Sequence, residues 1–275
     1  MKKFQPANLG TYATGLLASG KLVFARDEAL AALGIGQGAF LDAAERLQKR
    51  RQLFSPRRGF YVVVPPQYLN WGSPPPAWFI DDLMRHEGGP YYVGLLKAAE
   101  LHGAAHQAVM EFQVVVTKQI PAIQAGRARI AFYFRKDLST VAARIEERKT
   151  DTGKMKLSSP ELTILDLLRY PQASGGLDNI ATVLEELGPK ADPEKLFTLC
   201  PAFERSVVQR TGYLLSKAGL KDHAEKAHTA LEQGTAVQWV ELDPSLARDP
   251  ELAPDIVERD KHWRLVVRRI PERDL

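Results

Sequence analysis

Residues 26–64 read RDEALAALGIGQGAFLDAAERLQKRRQLFSPRRGFYVVV, and the order of elements encoded there decides the fold of the N-terminal part of the chain. Leu30 and Leu33 share one helical face. Gly34 follows where a left-handed backbone costs least, so a helix over residues 26–33 ends there. Ile35-Gly36-Gln37 is a tight turn. The next helix carries Phe40, Ala44 and Leu47 on one apolar stripe and runs to about Arg51. Leu53-Phe54-Ser55 and residues 59–64 are β-prone runs separated by Pro56-Arg57-Arg58, the composition of a hairpin. Upstream, Leu9, Tyr12, Leu16 and Leu17 recur at helical spacing before Gly20, and Val23-Phe24 is a short extended stretch.

Three helices and then a hairpin is the order of a winged helix-turn-helix. In that module the third helix enters the major groove, and the hairpin reaches phosphates or the neighbouring minor groove. Charge agrees with the pattern. Residues 1–64 hold ten Lys or Arg against four acids, a balance of +6, whereas the remainder, with 27 bases and 29 acids, carries −2. If Phe40, Ala44 and Leu47 face the core, Gln37, Gly38, Leu41 and the region of Gln48 and Lys49 turn away from it. Gln37 and Gln48 are then candidates for base edges. Lys49, Arg50 and Arg51 at the helix end, with Arg57 and Arg58 at the hairpin tip, suit phosphates of duplex DNA. Five such contacts imply a slope of log K against log salt of roughly −4 to −5 per protomer. Asp42 and Glu45 lie near the same face and oppose phosphate, although either can accept from a cytosine amino group.

Pro65-Pro66 and Gly72-Ser73-Pro74-Pro75-Pro76 read as a stiff linker, which divides the chain into a winged helix-turn-helix over 1–66, a linker over 67–76 and a larger α+β domain over 77–275. In that larger domain, helices are expected over 77–85, 92–101, 161–169, 177–187, 193–198, 202–218 and 220–232. Ser159 serves as an N-cap with Pro160 at the first helical position. Strands are expected over 112–116, 129–134, 155–157, 237–242 and 263–267. No apolar run approaches the roughly 20 residues of a membrane span, and a cytoplasmic protein is the expectation. The single cysteine, Cys200, excludes an intramolecular disulfide and is expected to cap or pack a helix end.

Motifs for catalysis, cofactors or metals are weak. His102 and His106 stand at i and i+4 but lack the glutamate of a zinc-hydrolase helix. Glu241 and Asp243 resemble a nuclease carboxylate pair, yet Asp243-Pro244 is also a turn initiator. No glycine-rich phosphate loop occurs. The residues therefore favour action by binding rather than by chemistry, without cofactor or metal. A solitary regulator with a ligand- or protein-binding second domain is the alternative, and a winged-helix-targeted nuclease is the third reading.

Several segments in order resemble the AbiEi antitoxins of bacterial type IV toxin-antitoxin systems, which are abortive-infection regulators. They are the hairpin end Arg58-Gly59-Phe60-Tyr61-Val62, the helix from Tyr91 to His102-Gly103, and Ser159-Pro160-Glu161-Leu162-Thr163 through Asp166-Leu167. Gly175-Gly176 and Arg210-Thr211-Gly212-Tyr213-Leu214-Leu215 complete the set. The resemblance spans roughly residues 9–220. It departs from the family pattern at Thr211, where a leucine is usual, and in the long proline-rich stretch. The resemblance implies a repressor of its own operon that binds inverted repeats in its promoter. It also implies that the second domain counters a nucleotidyltransferase-like toxin without forming a stable complex. Thr163 and Asp166 read physically as local cap and packing residues of one helix.

Overall fold

In a computed structural model, which describes residues 6–104, 109–247, 249 and 253–272, the chain is a mixed α+β protein with small sheets and a large helical share. In chain order the elements are α1 (Leu9–Ala18), β1 (Val23–Ala25), α2 (Arg26–Leu33), α3 (Gln37–Lys49), β2 (Leu53–Arg57), β3 (Phe60–Val63), α4 (Ile80–Glu87), β4 (Tyr91–Val93) and α5 (Leu95–Leu101). There follow β5 (Glu111–Val116), β6 (Ile123–Ala125), β7 (Ala128–Phe134), β8 (Ile145–Thr150), β9 (Gly153–Ser158), α6 (Pro160–Arg169) and α7 (Gly176–Leu187). The last are α8 (Pro193–Leu199), α9 (Arg205–Lys217), α10 (Lys221–Glu232), β10 (Val240–Glu241), β11 (Glu258–Asp260) and β12 (Leu265–Val267). Three sheets form, ordered β1-β3-β2, β6-β7-β5-β4-β9-β8 and β10-β12-β11. Strands β5 and β7 run parallel, and β6 returns antiparallel to β7.

Two compact units result. The first is Met1–Tyr92 with Met110–Lys136 and Glu147–Lys156, and the second is Val93–Val109 with Asp137–Glu146 and Leu157–Leu275. The proline-rich stretch 65–76 thus lies inside the first unit. It carries two 3-10 turns, and Ser73, Pro74 and Pro76 are buried, with the Ser73 hydroxyl donating to the Pro74 carbonyl at 2.7 Å. Proline rings supply apolar surface as well as stiffness, and here that surface is packed.

In the first unit, Asn8 caps α1 by accepting from the Thr11 N–H at 2.9 Å, and Glu28 reaches back to the Ala25 N–H at 3.1 Å at the start of α2. Gly34 closes α2 at φ 64. Leu9, Ala13, Phe24, Phe40, Ala44, Leu53, Tyr61 and Val63 form one core, tied together by the ring series Tyr12–Phe24–Tyr61–Phe40 at 5.4, 5.4 and 5.2 Å between centroids. Phe40 is fully buried, and truncating such a ring costs about 3–5 kcal/mol.

The helix expected from Tyr92 starts later. Tyr91-Tyr92-Val93 is a buried strand, because an aromatic and β-branched run fits a pleated, covered surface. Gly94 in extended backbone then serves as the N-cap of α5. In the second unit α6 is buried along nearly its whole length, and Ser159 caps it as expected, accepting from the Leu162 N–H. The expected helix 202–218 divides into a 3-10 turn at Cys200–Ala202 and α9 from Arg205. Cys200 ends α8, its thiol donates to the Leu196 carbonyl at 3.3 Å, and burial pushes its pKa up to about 12. The C-terminal strands are shorter than expected. They lean on α9, where the Trp263 ring lies so close to Gly212 that a Cβ would stand 2.1 Å from it. No helix among the described residues is long and apolar enough to cross a membrane.

Candidate nucleic-acid interface

Helix α3 is amphipathic in the way its sequence predicts. Phe40 and Ala44 are buried, Leu47 is half-buried, and Gln37, Gly38, Leu41, Gln48, Lys49 and Arg50 are exposed. Asp42, Glu45 and Arg46 share the exposed side. Lys49 holds Glu45 at 2.7 Å, an i,i+4 pair in which both side chains are well exposed. Its hydrogen bond and charge keep the Glu45 carboxyl below the usual carboxylate range. Such a pair is worth little in stability, but it half-neutralises the lysine. Leu41, 46% exposed, stands among the amides as an apolar group with no core to fill.

Arg50 is the C-cap of α3, and Arg51 follows in left-handed backbone at φ 56. The Arg51 N–H donates to the Gln48 carbonyl and the Gln52 N–H to the Leu47 carbonyl, at 2.8 and 2.9 Å, which is a Schellman ending. Glycine is usual at that position. Arginine there costs about 1–2 kcal/mol, and strain of this kind tends to gather at functional surfaces. The Arg51 side chain is exposed and reaches the Asn70 carbonyl at 3.5 Å.

The hairpin separates its two arginines. Arg58 is exposed in the turn that Gly59 completes; its carbonyl faces the His86 ring nitrogen at 3.2 Å, and its guanidinium has no hydrogen-bond or ion-pair partner among the described residues. Arg57, placed at the tip with Arg58 by the sequence, ends β2 and points inward. Its Nε donates to Glu87 at 2.7 Å, a terminal nitrogen donates to the Pro121 carbonyl at 2.7 Å, and its side chain is 21% exposed. Strand β2 also lies along β6 of the same unit. A cation already held by a carboxylate and a carbonyl is a brace for the hairpin rather than a free phosphate ligand.

Two residues outside the N-terminal module join this surface. Trp71, 47% exposed, adjoins the Asn70 that Arg51 touches, and Arg127 in the β6–β7 turn stacks on its ring at 5.8 Å. No spacing in the sequence links Arg51 to Arg127. The backbone of Gly126 against the Trp71 carbonyl creates that neighbourhood.

The remaining sequence candidates are spent in the second unit. His102 faces the Ser158 carbonyl at 2.8 Å through Nε2, while His106 lies outside the described residues. Glu241 is gripped by Arg268 at 3.2 Å, and Asp243 accepts from the Ser245 N–H and hydroxyl at 2.9 and 2.6 Å. The buried polar run at α6 closes on itself. Ser158 and Thr163 share a hydrogen bond of 2.7 Å, Ser159 donates to Glu161 at 2.6 Å, and Glu161 accepts from the Asp192 N–H at 2.8 Å. These side chains thus spend their hydrogen bonds on one another and on nearby backbone.

Residues 92–217 match the family model described as the AbiEi antitoxin C-terminal domain. No curated protein matches the chain in sequence. A crystal structure of the RV2827C protein from Mycobacterium tuberculosis is similar over 96% of this chain and 94% of that one, with a TM-score of 0.67 at 19% identity. At that identity the likeness concerns the fold.

Proposed function

We propose that this chain, whose residues 92–217 match the model of the AbiEi antitoxin C-terminal domain, is both an antitoxin of that family and a DNA-binding repressor of its own promoter. The first three helices and the β1-β3-β2 sheet act as the winged helix-turn-helix, with α3 in the major groove of an inverted repeat. The observation that carries this reading is α3 itself. One side is closed by Phe40 and Ala44, while Gln37, Gly38, Leu41 and Gln48 stand clear of the protein, followed by the cations Lys49, Arg50 and Arg51. Amides can read base edges, Leu41 can meet a thymine methyl, and the cations set the register on phosphate.

The hairpin contributes Arg58, with Arg57 as its brace. Of the five candidate cations, Arg50, Arg51 and Arg58 carry no carboxylate partner among the described residues, which lowers the expected salt slope to about −3 per protomer. The second unit counters a nucleotidyltransferase-like toxin as its antitoxin part, acting without a stable complex and without catalysis of its own.

A promoter reporter combined with a toxin-rescue assay tests the division of labour. Arg50→Ala with Arg58→Ala in the full chain should release repression and leave toxin rescue intact. Repression that survives this double change, or rescue lost together with it, contradicts the proposal.

A further inference from the structure

Arg210 opens the Arg210-Thr211-Gly212-Tyr213-Leu214-Leu215 stretch of α9, and its packing is unusual for a cation. It is half-buried, and burial pulls its guanidinium pKa down while the charge of Asp243 acts the other way. A cation taken from water is costly unless a counter-charge or a full set of acceptors meets it. Arg210 has neither. Among the described residues its hydrogen bonding consists of Nε donating to the Glu241 carbonyl at 3.0 Å. Its neighbours contrast with it: Arg268 grips the Glu241 carboxylate, and Arg269 forks onto both oxygens of Asp178 at 2.9 and 2.8 Å. With Nε occupied, the edge formed by the two terminal nitrogens remains, and that edge is the fork that holds a carboxylate bidentately.

Arg210 lines a cavity of about 60 Å³ in the second unit, with Leu168, Leu177 and Leu242 as apolar wall and Gln172 and Ser245 as polar lining. That volume exceeds what one water requires. Gly176, also on the wall, begins α7, whose first turn has no side-chain cap, and the first-turn acid Asp178 is turned to Arg269. Asp243 lines the cavity too. Its carboxylate is held by Ser245, so its charge offsets that of Arg210 and favours a monoanion over a dianion such as phosphate.

We propose that this pocket binds a carboxylate on a short aliphatic stem, supplied by a free small acid or by a glutamate side chain of a docking protein segment. The terminal nitrogens of Arg210 grip the carboxylate, Gln172 adds a donor from the rim, and the leucine wall packs the stem. The site is independent of DNA binding.

The test is an NMR titration of the full chain, following the Arg210 Nε–H and the Gly176 and Ser245 amides. The probes are butyrate, inorganic phosphate, and a blocked Ala-Glu-Ala peptide with its Gln counterpart. Saturable millimolar shifts are expected with butyrate or the Glu peptide, weaker ones with phosphate and none with the Gln peptide. Butyrate alone identifies a free acid, and the peptide alone a protein segment. Arg210→Lys should weaken binding about tenfold, because an ammonium lacks the fork. Gln172→Ala, which leaves the Glu241 contact untouched, should weaken it a few-fold with the fold intact. Absence of saturable shifts with either carboxylate, equal binding of phosphate, or affinity unchanged in both variants overturns the proposal and leaves a water-filled pocket.

Discussion

Gly38 occupies the first turn of α3 without any need from the fold. Its φ is not in the left-handed region, and a Cβ placed on it meets nothing within 4 Å. A glycine inside a helix is less stable than alanine by about 0.5–1 kcal/mol, so Gly38→Ala should stabilise α3 by up to that amount. For a chain of this size the gain appears as about 1–3 °C in Tm. If the backbone at Gly38 approaches a DNA edge closely, the same methyl stands in the way there, and the promoter affinity should fall about tenfold, or about 1.4 kcal/mol. Thermal unfolding and fluorescence anisotropy on a labelled promoter duplex, run on one preparation, read both quantities. Opposite signs are the expected result. A stabilised variant that binds as tightly as the parent refutes the placement of the α3 N-terminus against DNA.

The hairpin arginines should separate in the same pair of assays. Arg57→Ala breaks the contacts to Glu87 and the Pro121 carbonyl and should cost about 1–3 kcal/mol of stability, whereas Arg58→Ala should stay within about 0.5 kcal/mol and flatten the salt slope by about 0.9. Similar losses of stability in both would show that Arg57 is no brace. The Thr211 hydroxyl is fully buried and has no hydrogen-bond partner among the described residues, so Thr211→Val, which keeps the shape, should raise stability by about 1 kcal/mol or more in urea unfolding; a loss would mean that the hydroxyl is satisfied in solution. Asp178 is held below the usual carboxylate range first by the Arg269 hydrogen bonds and also by the Glu272 N–H. A carboxyl lowered on folding contributes stability that is present above its unfolded value of about 3.9 and lost as pH falls through the folded one. Melting curves taken down to about pH 3 should therefore fall less steeply for Asp178→Asn than for the parent, and parallel curves would contradict this.

The N-terminal elements were legible because glycine and proline punctuate them. The helix read over residues 26–33 is α2, and the hairpin read around Pro56-Arg57-Arg58 is β2 and β3. Strand β8 was not legible. Ile145–Thr150 reads IEERKT, almost entirely charged and exposed, which suits the edge position it takes in its sheet and leaves no apolar alternation to detect. Strands β6 and β11 span three residues each, too few for a period to show. At the candidate interface, helical periodicity separated Phe40 and Ala44 from Gln37 and Gln48 correctly, because one helix turn is a local property. The engagement of Arg57 was not legible, because its partner Glu87 lies 30 residues on, in helix α4. The strain at Arg51 was equally hidden, since the sequence offers no glycine there to announce a left-handed helix end.

The most direct test of the account is an anisotropy titration of the full chain against its own upstream promoter and a scrambled duplex of equal length, at several salt concentrations. Binding to the promoter should be tighter, with a slope of about −3 per protomer, and the preference should shrink in Gln37→Ala while affinity for the scrambled duplex is unchanged. Absence of binding to either duplex at low salt would contradict it and make α3 and the hairpin a protein-docking surface.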